Sequence, residues 1–233
     1  MSEKAERCYL CGIAVRAYAL QKGEKPAFDF RTCDHVPPAG LFPQPRPTNL
    51  TTVPCCFKCN NEHSGFDERL RIIAAMSFDR NASGQRILDE KVINGTLAKM
   101  RQMRFVEMLL HSMKPVAGHP NLILSQIDAK EFKEGAIRIT KGLLAKLHPE
   151  FNYHESYFHV EQISLRPCAE QSNLIGMLKA GTHFQIGDGV FQCWRYLDLE
   201  RGGGCWMLIF YECFGFFVAH ANNSETFRLW QNP

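Results

Sequence analysis

Two cysteine pairs, Cys8-Tyr-Leu-Cys11 and Cys56-Phe-Lys-Cys59, carry the clearest chemistry in the chain. A two-residue gap lets both thiolates of a tight turn face one ion, and two such turns complete the tetrahedral four-sulfur site that zinc takes. Gly12 follows the first pair and suits such a turn, where backbone amides can donate to sulfur. Ordinary buried thiols and a disulfide are the alternatives, and Cys55-x3-Cys59 is a competing spacing for the second pair. A closed four-cysteine site is structural and leaves no position for substrate, so a reaction must come from the residues around it.

Those neighbours are chemically rich. Asp34-His35-Val36-Pro37 lies inside the loop that the two pairs would close, Asn49 precedes the second pair, and Asn60-Asn61-Glu62-His63 follows Cys59 directly. Taken in order, CYLCG, DHVPPAGLF and NLTTVPCCFKCNNEH resemble the zinc-containing branch of the HNH endonucleases, the ββα-metal nucleases, over about residues 8 to 70. The resemblance implies a treble-clef-like ββα-metal module braced by zinc on Cys8, Cys11, Cys56 and Cys59. It also implies that Asp34 and Asn60 hold a catalytic divalent cation, most plausibly Mg2+, and that His35 is the general base. His63 matches the last histidine of the pattern, as a third cation ligand or a phosphate contact. Asn49 matches the asparagine that braces the loop between the strands.

These roles suit the residue types. Neighbouring strand residues point to opposite sides, so Asp34 can hold a cation while His35 approaches the attacking water. Imidazole accepts a proton at neutral pH, and an amide oxygen suits hard Mg2+. On a helix, positions 60 and 63 share a face. Asp67 and Glu68 read as favourable charges at a helix N-terminus or as residues that support the site ligands from behind, and Cys33 and Cys55 as packing residues or extra thiols.

The elements that must position these residues follow from local pattern. Pro37, Pro38, Pro43, Pro45 and Pro47 exclude a helix and make a long, stiff connection. FDERLRIIAAMSF after Gly65 predicts a helix of about three turns. Gln85 to Met113 predicts an amphipathic helical stretch interrupted at Asn94-Gly95, with apolar positions that include Leu97, and Ile137 to Leu147 another helix, ended by His148-Pro149. Beyond Phe151, Phe191–Leu199 and Cys205–Tyr211 flank the turn ERGGG as a hairpin, and Phe214–Ala219 adds a strand. The expected fold class is α+β: a nuclease module over residues 1–80, a helical basic segment over 81–150, and a small antiparallel β region over 151–233.

Composition narrows the classes. The 233 residues are 45% hydrophobic and 22% charged, which is globular rather than disordered. The net charge of +3 hides an uneven spread: residues 95–148 hold 9 basic and 4 acidic side chains, and residues 149–233 hold 5 and 9. Lys99, Arg101, Arg104 and Lys114 are candidate phosphate contacts, or one solvated helix face. Cys168, Cys193, Cys205 and Cys213 lack pair spacing and read as buried or half-buried thiols, with Trp194, Trp206, Tyr211 and Phe216 as sheet core. The apolar run Cys205–Ala219 contains Glu212 and is too short for a membrane helix, and the start has no signal-type segment, so a cytoplasmic protein without membrane contact is expected. No P-loop, dinucleotide fingerprint or serine triad is present. The expected activity is hydrolysis of DNA phosphodiesters. The alternatives are a non-cleaving zinc module that binds nucleic acid or protein, and a nuclease subunit of a bacterial defence or mobile-element system whose acidic C-terminal region docks a protein partner.

Overall fold

A computed structural model describes residues 6–231 apart from 78, 97–99, 117–118, 126–128, 152, 164–175, 177, 179–180 and 199. Leu97, Lys99, Cys168 and the side chain of Arg101 lie outside the described residues. The first cysteine pair closes a turn in which Gly12 has φ 75° and donates its amide to Cys8 O at 2.9 Å. That conformation is open to glycine at no steric cost. The turn is pinned to the second pair's strand by Tyr9 N donating to Pro54 O at 3.0 Å.

Strands β1 (Arg31–His35) and β2 (Thr52–Cys56) run antiparallel, with Asp34 opposite Val53 and His35 opposite Thr52. Helix α1 (Phe57–Met76) follows β2 without a linker. Cys56 is its N-cap, the Sγ accepting from Cys59 N at 3.4 Å. The helix therefore starts at Phe57 rather than after Gly65. Asn60, Asn61, Ser64 and Gly65 are weak helix formers that mask the start, and the sulfur cap together with burial of Leu70, Ile72, Ile73, Ala74 and Ala75 outweighs them. Asp67 and Glu68 consequently sit in mid-helix, which overturns their reading as N-terminal charges.

The middle of the chain holds α2 (Ala82–Ile87), a π-helical stretch Leu88–Thr96 containing the Asn94-Gly95 interruption, and α3 (Met100–Ser112). It is not helical throughout as expected: β3 (Met113–Val116) pairs antiparallel with β4 (His119–Ser125). Pro115 and Pro120 bar a helix there. Helix α4 (Ala129–Leu147) starts before the expected Ile137 and ends, as expected, at His148-Pro149.

The C-terminal part is a five-stranded antiparallel sheet ordered β5-β9-β8-β7-β6, from β5 (Tyr157–Ile163), β6 (Thr182–Ile186), β7 (Phe191–Asp198), β8 (Gly203–Phe210) and β9 (Phe214–Ala221). Helix α5 (Ser224–Gln231) follows. The β7–β8 hairpin and the β9 strand lie where the sequence places them, and the apolar run Cys205–Ala219 forms buried β8 and β9. Trp206, Tyr211 and Phe216 are buried in this sheet, whereas Trp194 is half-buried and stacks on His183 with ring centroids 4.2 Å apart. Cys193 and Cys205 are buried and Cys213 half-buried. Tyr211 and Glu212 turn the chain between β8 and β9 at φ 51° and 61°, closed by Cys213 N donating to Phe210 O at 3.1 Å. Both positive φ values match a type I′ hairpin turn. No helix of the described residues is long and apolar enough to cross a membrane.

One continuous buried cluster includes Tyr9 of the cysteine turn, Val53, Leu70, Ile139 and Leu143 of α4, and Phe191, Trp206 and Phe216 of the sheet. Gly142 lets α4 approach Val36 closely, because a Cβ there would collide with the valine methyls. His220, fully buried on β9, accepts a hydrogen bond at Nδ1 from Trp206 Nε1 at 3.1 Å and stacks on Phe158. Burial pushes its pKa down to about 4.

Because the unfolded imidazole titrates near 6.5, the native state disfavours proton uptake, and stability falls as pH drops from about 6.5 to 4. The full span is worth roughly 3 kcal/mol. Denaturant unfolding across this range should show the decline in the native sequence, and His220→Gln, which keeps an acceptor for Trp206 but cannot titrate, should flatten that part of the slope.

Candidate metal centre and active site

The sulfurs of Cys8, Cys11, Cys56 and Cys59 all lie within 4.8 Å of one another, and Cys11 and Cys56 are 3.9 Å apart. A tetrahedral zinc with sulfur at about 2.3 Å needs sulfur–sulfur spacings of about 3.8 Å, so this group can hold a metal ion such as zinc. Burial first, then the neighbouring sulfurs, push Cys59 up, and burial likewise raises Cys11. A dication is what makes four thiolates compatible at this spacing. The competing Cys55 falls outside the group. Its buried thiol lies 3.9 Å from Cys8 Sγ, and the hydrogen bond between them lowers Cys8 to about 4 and drives Cys55 far upward. Cys33 is exposed, against the expectation of packing, and takes a hydrogen bond from Arg31 Nη1 at 3.4 Å.

Asp34 and His35 end β1 and diverge as strand neighbours must. His35 is half-buried, while Asp34 is buried. Asp34 Oδ2 accepts from Tyr9 Oη at 2.5 Å and from Arg138 Nη2. Among the described residues both hydrogen bonds to this carboxylate end on Oδ2. Arg138, from α4, is itself buried, and each of its three nitrogens donates. Its Nε donates to Tyr9 Oη at 2.9 Å, and its Nη1 to Asp67 Oδ1 at 2.5 Å and to the His63 carbonyl at 3.3 Å.

One guanidinium therefore ties the first cysteine turn, strand β1 and helix α1 to α4. Burial pushes Asp67 up to about 6 against the pull of Arg138, and burial holds Tyr9 well above the ordinary phenol value, so Tyr9 stays a neutral donor. Against the cost of burial, the Asp67 and Asp34 carboxylates keep Arg138 charged.

Asn60 and His63 lie on the first turns of α1, directly after Cys59, and fixing the cysteine fixes both. His63 is half-buried against Phe66. Burial first and the charge of Arg138 second lower its pKa, leaving at neutral pH the uncharged imidazole that metal coordination needs. Asn49 is exposed, and its side chain makes no hydrogen bond among the described residues, so it does not brace the loop as expected.

Other residues hold that connection. Lys91 Nζ donates to Phe42 O at 2.9 Å, Arg86 Nη2 to Gln44 O at 2.7 Å, and Tyr211 Oη to Leu41 O at 2.7 Å. Of the basic candidates, Arg104 and Lys114 are exposed. Glu68 pairs with Arg71 at 3.2 Å.

Arg138, Tyr9 and the pairing of Asp67 are the residues that sequence reasoning misses. The available signal was the segment GAIRIT, a single cation set among small and apolar residues of a helix. No protein-family model, curated protein or solved structure matches the chain.

Two outcomes follow. Metal analysis should return one zinc per chain, and a chelator that removes it should unfold the first cysteine turn and expose Tyr9, read by tyrosine fluorescence. Arg138→Leu should cost about 3–5 kcal/mol in chemical unfolding, because it leaves the buried Asp34 carboxylate without its cation. The double change Arg138→Leu with Asp34→Asn should recover part of that loss.

Proposed function

We propose that the chain is a metal-dependent endonuclease of the HNH type that hydrolyses DNA phosphodiesters. The carrying observation is the meeting of the matched positions on one strand–strand–helix unit. Asp34 and the His63 backbone accept from the same guanidinium, Asn60 stands one turn before His63, and His35 stays half-exposed beside Asp34. The treble-clef-like description fits the cysteine turn, hairpin and helix in that order.

In this reading His35 takes the proton of the attacking water, and Asp34 Oδ1, the Asn60 amide oxygen and the neutral His63 ring make an oxygen-rich set suited to Mg2+. The cation, when bound, neutralises charge on the scissile phosphate and its leaving oxygen. The residues hold and orient; the base moves one proton. Products with 3′-hydroxyl and 5′-phosphate ends are expected. The acidic C-terminal region is the proposed surface for a protein partner.

The Arg138–Asp34 pair favours a second reading, a non-cleaving zinc-braced module that binds nucleic acid or protein, because a guanidinium beside the carboxylate opposes a dication.

Incubating supercoiled plasmid with purified protein and Mg2+ separates the two. Nicking that stops with EDTA and drops at least about 100-fold in His35→Ala supports the nuclease, since removing a general base costs about 10² to 10⁴ in rate. Undiminished nicking by His35→Ala removes the assigned base. DNA retention without nicking in Mg2+, Mn2+ and Co2+ selects the second reading.

A further inference from the structure

Away from the cysteine cluster, where α4 ends against the β6–β7 edge of the sheet, an open pocket of about 280 Å³ is lined by His148, Gly181, Thr182, Arg195, Tyr196 and Leu197. Two nitrogens here break a strong rule. Arg195 Nη1 and His148 Nε2 are buried from solvent and have no hydrogen-bond partner among the described residues. Buried polar atoms are almost always paired, and an orphan calls for a ligand, an ion or a water.

Arg195 and Thr182 face each other across the β6–β7 register, which places a hydroxyl beside the guanidinium. Among the described residues no carboxylate pairs with Arg195; the guanidinium instead stands over the Trp206 ring, 5.9 Å from its centroid. A π face offsets part of a cation's desolvation but accepts no directed N–H bond in the plane of the guanidinium. On the other side, His148 Nδ1 lies 3.3 Å from Glu150 Oε1. With Nδ1 engaged by that carboxylate, Nε2 is the ring's remaining polar atom.

We propose that this pocket binds a phosphate-class oxyanion, held by Arg195 Nη1, the Thr182 hydroxyl and His148 Nε2. The shape of the donor set argues for the class. A guanidinium N–H, an imidazole nitrogen and a hydroxyl line a space large enough for a tetrahedral anion, and a charge-assisted bond from the guanidinium is about twice as strong as a neutral one. Glu150 lies on the far nitrogen of His148 and orients the ring instead of competing for the site. The site stands apart from the proposed nuclease centre and does not depend on it. The phosphate can come from a free small molecule or from a nucleic-acid strand that reaches this end of the sheet.

Isothermal titration calorimetry on the full chain, in low-chloride buffer at pH 6, tests it with two probes: inorganic phosphate and a short 5′-phosphorylated oligonucleotide. Saturable binding is expected. Arg195→Gln and, separately, His148→Gln should each weaken it at least tenfold while thermal unfolding shows both variants folded; His148 is the safer change, lying half-buried just beyond α4. Binding of phosphate itself assigns a small-anion site, and binding of the oligonucleotide alone assigns a strand anchor. Absence of binding by both probes, or equal affinity in the native chain and His148→Gln, overturns the proposal.

Discussion

A charged guanidinium inside the protein sets the terms for everything around it. Moving such a group out of water costs several kcal/mol, and the cost is offset only when every donor finds a well-placed acceptor. Arg138 finds them on separate pieces of chain: the Asp34 carboxylate on β1, the Tyr9 phenol in the first cysteine turn, and Asp67 with the His63 carbonyl on α1. The full set of contacts forms only when the cysteine turn, the hairpin and the helix have all docked against α4. The metal centre and the arginine thus act on the same unit from two sides. Four sulfurs join the turn to the start of α1, and the guanidinium locks both to the rest of the molecule.

The same contact divides the Asp34-His35 dipeptide into an inward and an outward half. Strand geometry sends the carboxylate to the α4 side and leaves the imidazole half-exposed on the other. A pair of this kind lets one residue be held rigidly by the interior while its neighbour meets solvent, which suits a group that must exchange a proton with water.

Much of this architecture could be read from local pattern. The Cys-x2-Cys spacing needs only a tight turn to bring two sulfurs together, and Gly12 marks that turn. The ERGGG segment between aromatic runs places the β7–β8 hairpin for equally local reasons. What stayed hidden depends on distance or on competition between forces. The start of α1 is obscured by Asn60, Asn61, Ser64 and Gly65, because helix propensity is weak beside a sulfur cap and tertiary packing. The β3–β4 pair falls between the two stretches whose apolar spacing looks helical, where two prolines were the only warning. Arg138 lies 104 residues from Asp34, and no spacing rule joins them.

The connection between β1 and β2 has a kinetic consequence. Its carbonyls are held by Arg86 and Lys91 of the helical segment and by Tyr211 of the last hairpin, which is 170 residues from Leu41. Contacts so far apart in sequence close late, after shorter loops have formed. A ribosome will have released most of the sheet before Tyr211 can reach Leu41. The segment that follows His35 therefore acquires its final shape near the end of folding, so a truncated chain could carry every matched residue and still lack the loop's native form.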